Sequence, residues 1–289
     1  LRGLSSEQIS ALGTDQVAGF TTSQLGALTS TQVVGFSTDS LQALSTDQWR
    51  SISSSFIGAL SSDQIGGLAT DDLRALSTSG LRALSSEDWS AFNSDQMAAF
   101  TSSQLNTLTS AQIIGISSED IGGISTDALV GISTAAFRAL TTEQMEGLTS
   151  DQFAAFSTTP ISVMTTAQIV GLDSGDVSAL TTDQVRAFTT SQLSSMTTED
   201  FAGFGSEDIA AFVTAQIRGI TSDQIASMST DQVVGFETAD LAAMNMSQVL
   251  AFTTDQTAAM TTEQTNALFL ATPIMLDLDG DGIKTTAAA

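Results

Sequence analysis

An eight-residue unit repeats without one insertion or deletion from Leu4 to Ala267, and this short period limits the possible fold more than any other feature. Thirty-three octads follow one another, beginning LSSEQISA, LGTDQVAG, FTTSQLGA and LTSTQVVG. Position 1 is Leu, Phe, Ile or Met in every octad. Position 6 is a large apolar residue in 31 of 33, failing only at Thr257 and Thr265. Position 3 is Ser or Thr everywhere except Met246, and position 5 is Gln in 20 octads and Asp in 7. Position 8 is Ala, Gly or Ser in 31. Eight residues cannot enclose a core of their own. Each unit must bury its apolar side on its neighbours, which is the physics of a solenoid.

Charge sets the register independently. All seven arginines (Arg2, Arg50, Arg74, Arg82, Arg138, Arg186 and Arg218) fall at position 7, and 26 of the 32 acids sit at positions 4 and 5. We therefore read position 7 as the solvated outward column and positions 1, 6 and 8 as the interior. Arg2 in that column marks residues 1–3 as the tail of an earlier octad, so the array is expected to continue upstream.

Within an octad the columns spell a helix start. A Ser or Thr N-cap followed three residues later by Gln or Glu is a capping box, and apolar residues at N′ and N4 form a hydrophobic staple. Placing the cap at position 2 puts Gln at N3, the staple residues at positions 1 and 6, and the acids of position 4 at N2, where they suit the helix dipole. Pro160 falls at N3, where its missing N–H is among the unpaired donors of a first turn anyway. The predicted fold is all-α: a solenoid of very short capped helices, one per 8-residue repeat. Such helices cannot stand alone, because nucleation is not recovered in so few residues. The small residue at position 8 is explained by close approach of backbones rather than by positive φ, since Ala stands there 17 times and Gly 11. The near-constant hydroxyl at position 3 is expected to bond to an adjacent coil or turn. The alternative is a β-solenoid, favoured by Ser, Thr and β-branched content but opposed by apolar columns that do not alternate with period two.

The junctions Ala11-Leu12, Gly19-Phe20, Ala27-Leu28, Gly35-Phe36 and Ala43-Leu44 alternate strictly, and position 1 alternates Met and Phe from Met228 to Met260. This predicts an even number of octads per coil, two or four. Two would give a rod of roughly 150 Å at helix packing distances of about 9 Å.

Composition narrows the function. A formal net charge of -24 disfavours nucleic acid and anionic membrane surfaces. No apolar run approaches the roughly 18 residues of a membrane span. Leu1-Arg2-Gly3 carries no signal-peptide pattern. Cys and His are absent and Lys284 is the only lysine, so no base activates a Ser nucleophile in the array. Carboxylate pairs recur identically from repeat to repeat, whereas catalysis needs one singular constellation. An enzyme is not expected, and no catalytic or cofactor-binding residue is assigned. Trp49 and Trp89 stand at position 6 as core fillers, while Phe56 at position 5 breaks its column as an exposed apolar spot.

Residues 1–267 form the repeat solenoid, with its 33 full repeats over 4–267, and residues 268–289 begin a following segment. There Asp277, Asp279 and Asp281 alternate before Gly282, the first half of an EF-hand-like calcium loop. Position 12 of that loop is Ala288 rather than a bidentate Glu, so calcium, the one cofactor expected, is held weakly. The stretch TPIMLDLDGDGIKTT, with the TTDQ-type octapeptides before it, resembles regions of large bacterial RTX-type exoproteins and adhesins exported by type I secretion. The resemblance spans the chain, although it lacks the glycine-rich nonapeptide of that class. It implies an extracellular or cell-surface location, calcium-rich surroundings and a C-terminal export signal.

Two functions follow from different classes. One is a non-catalytic rod, stalk or filament subunit of an extracellular adhesin, with self-association into fibres or contacts with a matrix. The other is a binding module whose repeat face grips a glycan, another copy or ice. A variable outward column without a shared aromatic or charged signature favours the first.

Overall fold

The computed structural model describes residues 3–270. Over that range each octad is one short α-helix, from α1 (Ser6–Ser10) to α33 (Thr262–Leu270), and there is no strand among the described residues. This excludes the β-solenoid alternative. The local cause is the predicted capping box. Ser5 is extended (φ -76°, ψ 166°), its Oγ accepts the Gln8 N–H at 3.2 Å, and Gln8 Oε1 accepts the Ser5 N–H at 2.9 Å. Where position 5 is Pro160, in α20 (Thr158–Val163), Ser157 receives no such bond, yet the helix forms. Each helix stops after four to six residues in all but the last, because the next position 1 or 2 turns extended and starts another cap.

The chain divides into two compact units, residues 1–171 and 172–289. In the first, every helix packs on the helix three places along, from α1 on α4 (Ser30–Val33) to α18 (Thr142–Glu146) on α21 (Thr166–Ile169). The second runs from α22 (Ser174–Ala179) on α25 (Thr198–Phe201) to α30 (Thr238–Ala242) on α33 by the same rule. A coil is therefore three octads, 24 residues. The first unit contains seven coils, which at about 9 Å between packed helices is on the order of 60 Å of stack.

Three per coil corrects the even number expected from the alternating junctions, and the length of roughly 150 Å built on two falls with it. Alternation is a stacking device here. With an odd number per coil, octads that lie on one another differ in parity. Phe36 thus stacks between the levels of Leu12 and Leu60, and Ala43 at position 8 between those of Gly19 and Gly67.

Positions 1 and 6 fill the interior as the staple requires. Val33, Leu41, Ile65, Val185, Ile209 and Ile225 at position 6 are 0 % exposed, with Trp49 and Trp89 at 1 %. Position 5 is interior too, which corrects the expectation for Phe56. Its ring is buried, 5.9 Å from Phe36 and edge-on to Trp49 at 6.4 Å, because the N3 side chain of these helices points under its own first turn into the stack. Position 8 lies at the contact between coils. A Cβ on Gly147 would lie 1.9 Å from the carbonyl oxygen of Ser118, at position 3 one coil below; Gly235 meets Ser206 in the same way at 2.4 Å in the second unit. The φ of Gly147 is -81°, so small size is what the site demands.

Gly147→Ala is therefore expected to cost about 1–3 kcal/mol through overpacking. Gly19→Ala, where an added Cβ meets only its own turn at 3.5 Å, is expected to leave stability within about 0.5 kcal/mol. Urea denaturation of the two variants in parallel checks the contrast.

Candidate functional site at the coil junctions

The most elaborate chemistry of the molecule lies where one coil rests on the next, and it is built from position 5. Gln112 illustrates it. Its Oε1 accepts the Thr109 backbone N–H at 3.0 Å, closing its own cap, while its Nε2 donates to the carbonyls of Leu81 at 2.9 Å and Leu84 at 2.8 Å in the coil below. Those carbonyls belong to positions 6 and 1, at the end of a helix and the start of the next; that of Leu81 also accepts the Leu84 N–H at 3.2 Å, so the amide is its second donor. Gln224 does the same in the second unit, to Leu193 at 2.8 Å and Met196 at 2.9 Å. The arrangement recurs at Gln64, Gln104, Gln144, Gln168, Gln216 and Gln248. These amides are 1–5 % exposed, and both ends of each are satisfied, as burial of a polar group requires.

Two other columns stitch the same junction. The position 3 hydroxyl bonds upward as expected: Ser110 Oγ donates to the Ala135 carbonyl at 3.3 Å, Thr142 Oγ1 to Ala167 at 3.1 Å and Ser222 Oγ to Ser247 at 3.2 Å. Ser94 and Thr214 donate instead to Asp120 and Asp240, each at 2.8 Å. At position 7, Arg74, Arg82 and Arg186 remain solvent-exposed but donate Nε–H to carbonyls of Ala99, Thr107 and Ala211 at 3.1–3.3 Å, and Gln42 does so to Gly67 at 2.7 Å. The ion pairs Arg50–Asp47, Arg74–Asp71 and Arg186–Asp183, at 3.3–3.7 Å, are exposed, so they are worth little beside these bonds.

Where position 5 is Asp, the junction has no amide donor. Desolvation pushes the Asp72 carboxyl up to about 6, opposed by the Ala69 backbone N–H it accepts and assisted by Asp71. Asp208 and Asp240 are also raised, first of all by burial. Hydrogen bonds from its own N–H and the Thr141 hydroxyl lower Glu143 at the surface.

The reach of Gln into the neighbouring coil goes beyond the capping box, but one signal for it is visible in the octads. A capping box accepts Glu as readily as Gln. Glu occurs seven times at position 4 and never at position 5, where Gln stands in 20 octads, a preference for the amide over the carboxylate of equal length that the cap alone does not explain.

Trp49 and Trp89 are brought into the interior, not onto a surface. Asp277, Asp279 and Asp281 lie outside the described residues. Among the described residues no group of three or more acids is arranged to hold a metal ion, and no helix is long and apolar enough to cross a membrane. Surface grooves between coils, such as one of about 320 Å³ lined by Arg74, Thr101, Ser125 and Asp127, are open to solvent.

These features define an all-α solenoid of tandem octapeptides, three to a coil, with a glutamine amide at its junctions. Within that class the chain belongs to the ALTTAQ repeat family, whose repeat matches residues 33–70, 65–102, 113–150, 124–158, 148–182, 169–206, 201–236 and 233–269. The six letters read as positions 8, 1, 2, 3, 4 and 5 of the octad, as in VMTTAQ at Val163–Gln168. No curated protein matches the chain. Repeat organisation of this kind points to a structural or binding role.

Replacing Gln112 with Leu leaves the Leu84 carbonyl and the Thr109 N–H without their partner, while the Leu81 carbonyl keeps the Leu84 N–H, which is expected to destabilise by about 2–4 kcal/mol. Gln112→Glu is expected to be worse, since it sets a buried carboxylate against the same carbonyls. Chemical denaturation of both variants reads the order.

Proposed function

We propose that the chain is a non-catalytic structural module, a spacer or stalk in an extracellular bacterial surface protein or a subunit of a filament. One observation supports this above the rest: the chemically demanding groups are spent on joining coil to coil. The interior is filled by staple residues, the amides face carbonyls, the acids of position 4 sit at helix starts, and the outward column at position 7 changes from octad to octad. A binding face would instead repeat one exposed signature along a run of coils. The charge of -24 suits a soluble surface element that repels its own kind along the side. Self-association, if it builds fibres, then falls to the ends.

Secretion to the cell surface rests on the resemblance of the tail to RTX-type exoproteins, and calcium on Asp277, Asp279 and Asp281. With half a ligand set in this loop, binding is expected in the weak range of extracellular modules, about 10⁻⁴–10⁻³ M. Calorimetric titration of the chain with calcium should give heat that Asp279→Asn abolishes, and a wild-type chain without heat would remove calcium from the proposal. For the stalk itself, atomic force microscopy of single molecules should show stiff particles much longer than wide. Compact globules would contradict it.

A further inference from the structure

We propose that the junctions at Asp72 and Asp240 are proton-binding sites, at which a protonated aspartic acid takes over the donor role of the glutamine amide and tightens the stack in acid. Four observations lead there. First, both residues occupy position 5 and are 6 % and 2 % exposed, so their carboxyl groups lie in the slot that the amide fills elsewhere. Second, the octad register sets opposite each of them the two carbonyls that Gln64 or Gln216 would bind, those of Leu41 and Leu44 for Asp72 and those of Ile209 and Phe212 for Asp240. An ionised carboxylate has nothing to donate to them. Third, Oδ2 of each is buried without a hydrogen-bond partner, the condition that a proton shared with a carbonyl would relieve.

The fourth is the cap. At Asp88, Asp120 and Asp200 the position 2 residue is Ser85, Ser117 or Thr197, and its hydroxyl donates to the carboxylate. Asp72 and Asp240 follow Ala69 and Glu237, which have no hydroxyl, so that side-chain donor is missing, and Asp72 keeps only the backbone N–H of Ala69 from its cap. Thr214 donates only to Oδ1 of Asp240. A residue lacking a hydroxyl also stands at position 2 before Asp176 and Asp208, but there Oδ2 accepts the backbone N–H of Asp173 at 3.2 Å or of Gly205 at 2.9 Å, so the pairing makes a proton site only where Oδ2 is also left without a partner.

The surrounding charges do not supply a counter-ion. Asp72 sits on α9 (Thr70–Ala75), packed against α6 (Thr46–Ser51) and α12 (Ser94–Met97). The charged groups there are Asp47, Arg50, Asp71, Arg74 and Asp95, with Asp39 on the neighbouring α5 (Thr38–Gln42), and all are solvent-exposed. Around Asp240 the charged groups are Glu207, Asp208, Arg218, Glu237 and Glu263, exposed except for half-buried Asp208. Burial raises both carboxyls, that of Asp72 from 3.8 to about 6. A carboxyl raised on folding stabilises the fold fully below its unfolded value, and that contribution is lost as pH rises through the folded value. For Asp72 the window is therefore about pH 4 to 6.

Hydrogen exchange of backbone amides in the full chain, corrected for intrinsic rates, tests this. Opening of α9 should be on the order of tenfold more frequent at pH 7.5 than at pH 4.5. Asp72→Asn keeps a donor at every pH and should remove most of that difference; Ala69→Ser, which restores the cap hydroxyl, should reduce it. Asp71→Asn, an exposed control one residue away, should leave it unchanged. A pH difference equal in wild type and Asp72→Asn would overturn the proposal, as would opening that is rarer at pH 7.5.

Discussion

The structure depends on one amide reaching in two directions. The Oε1 of a position 5 glutamine closes the first turn of its own helix, and its Nε2 seals the end of a helix one coil below. Helices of four to six residues leave most of their backbone groups without intrahelical partners. In a longer helix those termini are a small fraction of the chain; here they are nearly all of it. The glutamine resolves both kinds of terminus with one side chain, which is why its amide recurs through the repeat array with such regular geometry.

Placing that amide between coils constrains the other columns. The backbones must approach closely, so position 8 is small, and a methyl at Gly147 or Gly235 would collide with the carbonyl of Ser118 or Ser206. The helix that approaches carries a hydroxyl at position 3 to meet the next coil. Its position 6 side chain is fully buried because it stands on the same inward face, one residue beyond the glutamine. Stability then resides in contacts between successive coils, so such an array lengthens by addition and its local weak points are single junctions. Thr257 and Thr265 show what happens when the inward column turns polar. Each hydroxyl bonds back to its own helix, to Thr253 and Thr254 in one case and Thr261 in the other.

Everything local in this fold was legible in the octad. The cap at position 2, the staple between positions 1 and 6 and the outward place of the arginines follow from spacings of three to five residues, over which chain geometry leaves few choices. The number of octads per coil was not, because it depends on pairings 25 to 31 residues apart that repeat identically whichever count is chosen. Alternation of Leu and Phe misled for this reason: it records parity between stacked levels, not closure of a turn. Phe56 misled because position 5 was read as a capping position alone, when its side chain in fact lies in the stack. The inter-coil reach of glutamine was hidden behind its role in the cap, and only the preference for Gln over Glu in that column betrays it.

The claim that glutamine amides join the coils is tested most directly by exchange of their own side-chain protons, followed by nuclear magnetic resonance. The Nε2 protons of Gln112, Gln168 and Gln224 should be protected by orders of magnitude relative to those of Gln8, Gln16 and Gln24, which are exposed in the first coil. If all six exchange at the rate of free amides, the glutamine does not hold one coil to the next and the account fails.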